Sequence, residues 1–240
     1  VLFPSEAIKK NKYYGAFEEF KGFKSESLPR QVIVKEFLKG QGSDLNYKQP
    51  KNIDQLLIYC YQVAGSVGLM VCDVIGIKNK ELKYYAIDLG IAMQLTNICR
   101  DILDDAEIGR IYLPKKMVNK LSIKKFKNPS DADKKVIDNA RNLLLEEADR
   151  YYTSAMKGIV HLPFKTARAV IIAAKLYQAI GKRIIKNRIS YQAPRVYINK
   201  IEKIIITFKA LFQLRKNLYI KKHNQKLHHS LSKLPDTHLK

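Results

Sequence analysis

Apolar residues along this chain recur three and four positions apart, and runs of strict apolar–polar alternation are nearly absent. That is the 3.6-residue period of helices and not the two-residue period of strands, so the expected fold class is all-α. With 240 residues, 46% of them hydrophobic, the chain can bury one sizeable core. It reads as one helical domain over residues 1–208, followed by a basic helix and tail over 209–240. Apolar runs such as Ala169-Val170-Ile171-Ile172-Ala173-Ala174 are broken by Lys or Arg well before the ~20 residues a membrane span needs. No transmembrane helix is therefore expected, and without a secretory pattern a cytoplasmic location is the expectation.

Start and stop signals place the helices. One should follow Pro4-Ser5-Glu6, and another should follow Ser27, with Pro29 in its first turn and Gly40 just past its end. The next should run from Asn52 to about Gly76, and a further one from Lys80 through Asp105. Ser130 and Asp133 resemble a capping box opening a helix that ends near Gly158. Pro163 opens a helix running toward Asn187, and a last helix starts near Ile198. The longer loops fall at 40–52, 109–113 and 189–195.

Gln94, Asn97, Asp101 and Asp105 lie at offsets of 0, 3, 7 and 11, which puts them in one narrow stripe of a helix. The stripe is polar where a core stripe would be apolar. Two carboxylates one turn apart, with a side-chain amide a turn earlier, offer hard oxygen ligands suited to Mg²⁺, with Mn²⁺ the alternative. Such an ion is commonly completed by substrate phosphates, and Arg100 beside the stripe and Arg110 one loop later have the forked donors that phosphate oxygens take. The competing reading of the same residues is a solvated acidic helix face. Asp104 points about 100° away from Asp105 on the helix and ranks below it.

Upstream, Tyr59, Val63 and Val67 recur at four-residue spacing with Ala64 and Gly68 beside them. This face is aromatic at one end and otherwise small. It leaves room either for a long apolar ligand or for a closely crossing helix.

The formal net charge of +22 favours an anionic partner: nucleic acid, an anionic membrane surface or diphosphates. Charge alone does not choose among them, and much of the excess is Lys scattered among Ile and Asn. Residues 209–240 interleave Lys209, Arg215, Lys216, Lys221, Lys222 and Lys226 with Leu211, Phe212, Leu214, Leu218, Tyr219 and Ile220. That pattern suits a peripheral helix on an anionic membrane and equally a solvated final helix with a disordered end. Cys60, Cys72 and Cys99 sit inside helical apolar patterns without zinc-site spacing, and read as buried free thiols.

The run Tyr59-Cys60-Tyr61-Gln62-Val63-Ala64-Gly65-Ser66-Val67-Gly68, followed by Asn97-Ile98-Cys99-Arg100-Asp101-Ile102-Leu103-Asp104-Asp105 and Ile108-Gly109-Arg110-Ile111-Tyr112-Leu113-Pro114, resembles the squalene/phytoene synthase family, the head-to-head prenyl diphosphate condensing enzymes. The resemblance extends from about Phe37 to Glu202, taking in Asp44, Leu176-Tyr177-Gln178 and Arg195-Val196-Tyr197, and the wording is closer to bacterial phytoene synthases. It implies an isoprenoid-synthase helical bundle and a prenyltransferase that joins two geranylgeranyl diphosphates, through a cyclopropylcarbinyl diphosphate, into phytoene for carotenoid biosynthesis. By the resemblance, Tyr59, Asp101 and Asp105 are catalytic, and Asn97, Asp101 and Asp105 hold Mg²⁺. Asp44, Val63, Ala64, Val67, Gly68, Gln94, Arg100, Tyr177 and Arg195 then bind substrate.

One departure stands out. The family carries two aspartate-rich motifs, whereas Asp44, Asp54, Asp73 and Asp88 are the only aspartates in residues 1–96 and none are four apart. With Val as its first residue, the chain reads as a segment lacking the family's leading helices, weakly active or inactive alone. Two alternatives remain: a squalene or dehydrosqualene synthase using farnesyl diphosphate, with NADPH if squalene-type, and a non-catalytic relative of the fold. Nucleic-acid binding rests on charge alone and is not expected.

Overall fold

The computed structural model describes residues 29–214 and 220–237. Eight helices make up the body: α1 (Gln31–Leu45), α2 (Ile53–Val74), α3 (Lys80–Arg100), α4 (Ile102–Glu107), α5 (Ile123–Lys127), α6 (Asp131–Ile159), α7 (Phe164–Lys186) and α8 (Lys200–Gln213). A 3₁₀ turn, Gln225–Leu231, follows. No strand occurs among the described residues. The helix expected after Pro4 lies outside them.

Most helix starts sit where the capping residues put them. Asn52 accepts from Gln55 N, Asn79 from Glu81 N, and Ser130 with Asp133 closes a full capping box, satisfying N–H groups that a helix start leaves orphaned. A second capping box, Asn199 with Glu202, opens α8 one residue after the expected position.

Four expectations need correction. Pro29 stands before α1 and not in its first turn, since Arg30 is the N-cap and the helix begins at Gln31. Gly40 does not end α1 but is buried within it. A Cβ there would come 2.8 Å from Val63 Cγ1 and 2.9 Å from Gln62 Cβ, so this glycine serves a helix crossing and not a C-cap. The expected single helix from Lys80 to Asp105 breaks at Asp101, where φ is −108° and ψ 22°. Finally, α2 is 22 residues long and apolar enough by length and composition to cross a membrane, although Gln62 and Ser66 interrupt its apolar residues, contrary to the pattern read from the other apolar runs. Here it is a core helix, with Leu56, Cys60, Tyr61 and Leu69 fully buried.

The central element is α3. It packs along α6 and touches α2 and α7, and Ile87, Ile91, Ala92 and Leu95 have no exposed surface. Its approach to α2 is backbone on backbone. A Cβ on Gly68 would meet the carbonyl carbon of Ala86 at 2.9 Å, and one on Gly90 would meet that of Ala64 at 2.5 Å. At the Ala64 contact α2 widens into one π turn, Tyr61–Gly65, an irregularity common at functional sites.

The stretch read as a basic tail behaves differently from a solvated end. After α8, residues 220–237 return to the body. Leu227 and Leu231 enter the main core, Tyr151 Oη donates to Leu227 O at 2.7 Å and Tyr61 Oη to Pro235 O at 2.6 Å. Arg30 bridges Asp73 and Asp236, binding this segment to α1 and α2.

Candidate active site

Two groups of predicted residues meet around Asp105. In the first, Asp44 at the end of α1 accepts from Tyr59 Oη at 3.1 Å and from Tyr112 Oη at 2.9 Å. The two rings stack with centroids 5.1 Å apart, and Arg110 Nη2 donates to Asp44 O at 3.0 Å. Burial and the Asp44 charge push the Tyr59 phenol well above its usual range, so it stays protonated, a donor and not a base. Tyr112, which the Tyr59 motif alone does not reveal, is as central to this cluster as Tyr59. Its signal was present in the Ile-Gly-Arg-Ile-Tyr-Leu-Pro run.

The second group surrounds Asp101. Arg100 grips its carboxylate with two bonds, at 2.7 and 2.5 Å, and Arg195 approaches from the 187–199 loop at 3.1 and 3.2 Å. The Arg100 guanidinium lies 6.0 Å from the centre of the Tyr177 ring, a cation–π distance. The break at Asp101 does not destroy the stripe. Asp101 N still donates to Asn97 O at 2.9 Å, and Asp105 N to Asp101 O at 2.8 Å.

Asp105 connects the two groups. Burial raises its pKa first, then the charges of Asp101 and Asp104, against a lowering by Arg110, and it is pushed up to about 7. Uncompensated negative charge of this kind is what a divalent cation relieves. Nearby, Asn97 Oδ1 is buried with no hydrogen-bond partner among the described residues. An orphaned amide oxygen beside two carboxylates is a hard-oxygen donor set, so Asn97, Asp101 and Asp105 fit Mg²⁺.

Asn97 also borders a groove of about 340 Å³. Val63, Ala64, Val67 and Gly68 form one wall and Leu89, Met93 and Gln94 another, with Ala155, Gly158 and Ile159 closing it from α6. On the small face, Gly68 both makes the close crossing with α3 and lines the groove. Of the predicted residues, Tyr59, Asp44, Asp101, Asp105, Arg100, Arg195 and Tyr177 are not in this lining. They sit around the acidic cluster instead, while Gln94 and Asn97 connect groove and stripe. Cys60, Cys72 and Cys99 are buried free thiols.

A family model described as squalene/phytoene synthase matches residues 10–202. A 15-cis-phytoene synthase of Paracoccus sp. is 36% identical over 174 residues, covering 72% of this chain and 56% of that protein. The corresponding enzyme of Pantoea ananas is 37% identical over 147 residues, covering 61% and 48%. The chain thus spans about half the length of the curated relatives it matches. Among solved structures, a dehydrosqualene synthase in complex with ligand superposes with a TM-score of 0.71 at 25% identity, over 85% of this chain and 70% of that one.

Proposed function

Because this chain belongs to the squalene/phytoene synthase family, we propose that the protein is a prenyltransferase that condenses two geranylgeranyl diphosphates head to head into phytoene, a step of carotenoid biosynthesis. The observation that carries this reading is the continuity of an apolar groove with an arginine-flanked acidic cluster, joined at Gln94 and Asn97. Phytoene synthases recur among the relatives, which favours the geranylgeranyl substrate over farnesyl diphosphate. Retention of the whole Asn97, Asp101, Asp105 set favours an enzyme over a non-catalytic module.

Mg²⁺ held by Asn97, Asp101 and Asp105 would supply charge that makes diphosphate a better leaving group. The chain's own residues do the rest. Arg100 and Arg195 converge on Asp101 from two elements, and their forks are placed to receive diphosphate oxygens and hold the leaving group in one orientation. Val63, Val67, Leu89 and Met93 pack the prenyl chain and keep water from an allylic cation. Tyr59 and Tyr112, their hydroxyls anchored on Asp44, present stacked electron-rich rings and a phenolic proton at Oη beside the acidic cluster.

A peripheral position on an anionic membrane, on its cytoplasmic side, suits the apolar product. It is supported by α8, where Ile201, Ile204, Ile205, Phe208 and Phe212 are exposed along one stripe beside Lys200, Lys203 and Lys209.

Chromatography of products from geranylgeranyl and farnesyl diphosphates, with and without Mg²⁺, tests the assignment. Phytoene formed only with Mg²⁺ is expected. Squalene or dehydrosqualene from the farnesyl substrate alone, in the first case with NADPH, would move the assignment to the shorter chain. No turnover of either substrate by the full-length protein would leave a binding module.

A further inference from the structure

We propose that Asp88, His223 and His228 form a second metal site, for Zn²⁺, that clips the C-terminal segment to α3. The three residues are far apart in sequence, with His223 and His228 lying 135 and 140 positions from Asp88. Folding brings His223 Nε2 to 2.7 Å from Asp88 Oδ2 and His228 Nε2 to 2.9 Å from Asp88 Oδ1. All three side chains have no exposed surface, and their donor atoms lie within 4.8 Å of one another.

The donor chemistry selects the ion. Two imidazole nitrogens and one carboxylate are the borderline set that zinc takes with a fourth position left to water. Bonds of ~2.0–2.1 Å in a tetrahedron put ligand atoms roughly 3.3 Å apart, and the two Nε2 atoms already lie 2.7 and 2.9 Å from the two oxygens of one carboxylate, with all donor atoms within 4.8 Å of one another. The surroundings hold the segment and the two rings in place. Glu81 Oε2 accepts from His223 N at 2.6 Å. The Tyr85 ring lies 5.2 Å from the His223 ring, and Tyr84 packs against both imidazoles at 5.6 and 5.8 Å.

Burial supplies the driving force. Asp88 has no exposed surface and its two oxygens meet the two imidazoles, and a buried carboxylate is stable only beside compensating charge or hydrogen bonds. A divalent ion supplies that charge while leaving both imidazoles neutral. Asp88 lies 13 positions, more than three helical turns, before Asp101 along α3, so this site is separate from the acidic cluster and does not depend on the proposed condensation. Sequence spacing shows only part of it: His223 and His228 stand at H-x4-H spacing, but the third ligand comes from a helix interior 135 positions upstream.

The test uses the full chain equilibrated with Zn²⁺ in excess Mg²⁺, which occupies the oxygen-rich acidic cluster, and then desalted. One Zn²⁺ retained per chain is expected, with nitrogen donors in its X-ray absorption spectrum. Co²⁺ in its place should give the intense visible band of a four-coordinate nitrogen-ligated ion. His223→Asn with His228→Asn should weaken binding by more than the roughly 10–100-fold that loss of an outer-shell partner costs, whereas Asp105→Asn should leave zinc retention unchanged. Failure of the unaltered chain to retain zinc overturns the proposal, whatever the variants' folding. So does zinc that survives the double substitution and disappears in Asp105→Asn, or a purely oxygen-ligated spectrum.

Discussion

Gly90→Ala should destabilise this protein far more than an ordinary glycine-to-alanine change in a helix, which usually stabilises. The new Cβ would lie 2.5 Å from Ala64 C and 2.6 Å from Gly65 N, against an ordinary contact distance of 3.4 Å or more. Both obstacles are backbone, so no side chain can rotate away and α2 must part from α3 by close to an ångström. Overpacking of this kind costs roughly 1–3 kcal/mol. For a domain of this size each kcal/mol lowers Tm by about 2–4 °C. Gly42→Ala is the matched control, since nothing lies within 4 Å of its Cβ position in α1. It should gain about 0.4–1 kcal/mol from the lost flexibility of the unfolded chain. Circular dichroism melts of the two variants beside the parent are sufficient. Opposite signs are expected, and a Gly90→Ala melt at or above that of Gly42→Ala would refute the backbone-contact argument.

Asp105 should make stability pH-dependent when divalent ions are chelated. Its folded pKa, raised to about 7 from 3.8, means the native state holds the proton more tightly, so stability should fall as pH rises across that window. Urea melts should show this fall blunted in Asp105→Asn, and an unchanged pH profile would contradict the shift. In Mg²⁺-dependent turnover, Asp101→Asn and Asp105→Asn should each cost on the order of 10²–10³-fold, as losing a positioned electrostatic stabiliser does; wild-type rates from either would remove the carboxylate from the mechanism. Tyr112→Phe and Tyr59→Phe each delete one bond to Asp44, worth about 1.5–3 kcal/mol to a charged acceptor. If the ring faces carry the function, both should keep more turnover than Tyr59→Leu, and equal loss in all three would assign the role to the hydroxyls.

How much of this was legible before the fold was known differs from residue to residue. Helix starts were, because a cap is a local event: Asn52, Asn79, Ser130 and Asn199 each satisfy N–H groups two or three residues on. The spacing of the acidic stripe was also legible, but the break at Asp101 inside it was not, since no glycine or proline marks it. Gly40 was misplaced because a glycine near a helix end looks like a stop, and the Val63 side chain that requires it lies on another element. The gathering of Asp44, Tyr59 and Tyr112 depends on the loop after α4, and no periodicity runs through a loop. The return of residues 220–237 was hidden for a similar reason. Its anchors are single contacts such as Tyr61 to Pro235 and Asp88 to two histidines, set within a composition that reads as solvated and basic.

The same helix explains why these features sit so close together. α3 has no solvent face to spare, so each side of it carries a different task. Ala86 and Gly90 let α2 approach, Asp88 receives the C-terminal histidines, and Thr96 Oγ1 pairs with Tyr152 Oη at 3.1 Å inside the core. Gln94 and Asn97, one and two turns past Gly90, carry the groove to the acidic stripe. A helix fixed on every side cannot be displaced at one of these contacts without moving the others. Asp101 ends that constraint: the break gives its carboxylate an orientation that Arg195 can reach from another element, while the bonds through Asn97 and Asp105 keep the stripe in register. The rigid part of α3 therefore sets where the groove lies, and the break sets which way its acidic end faces.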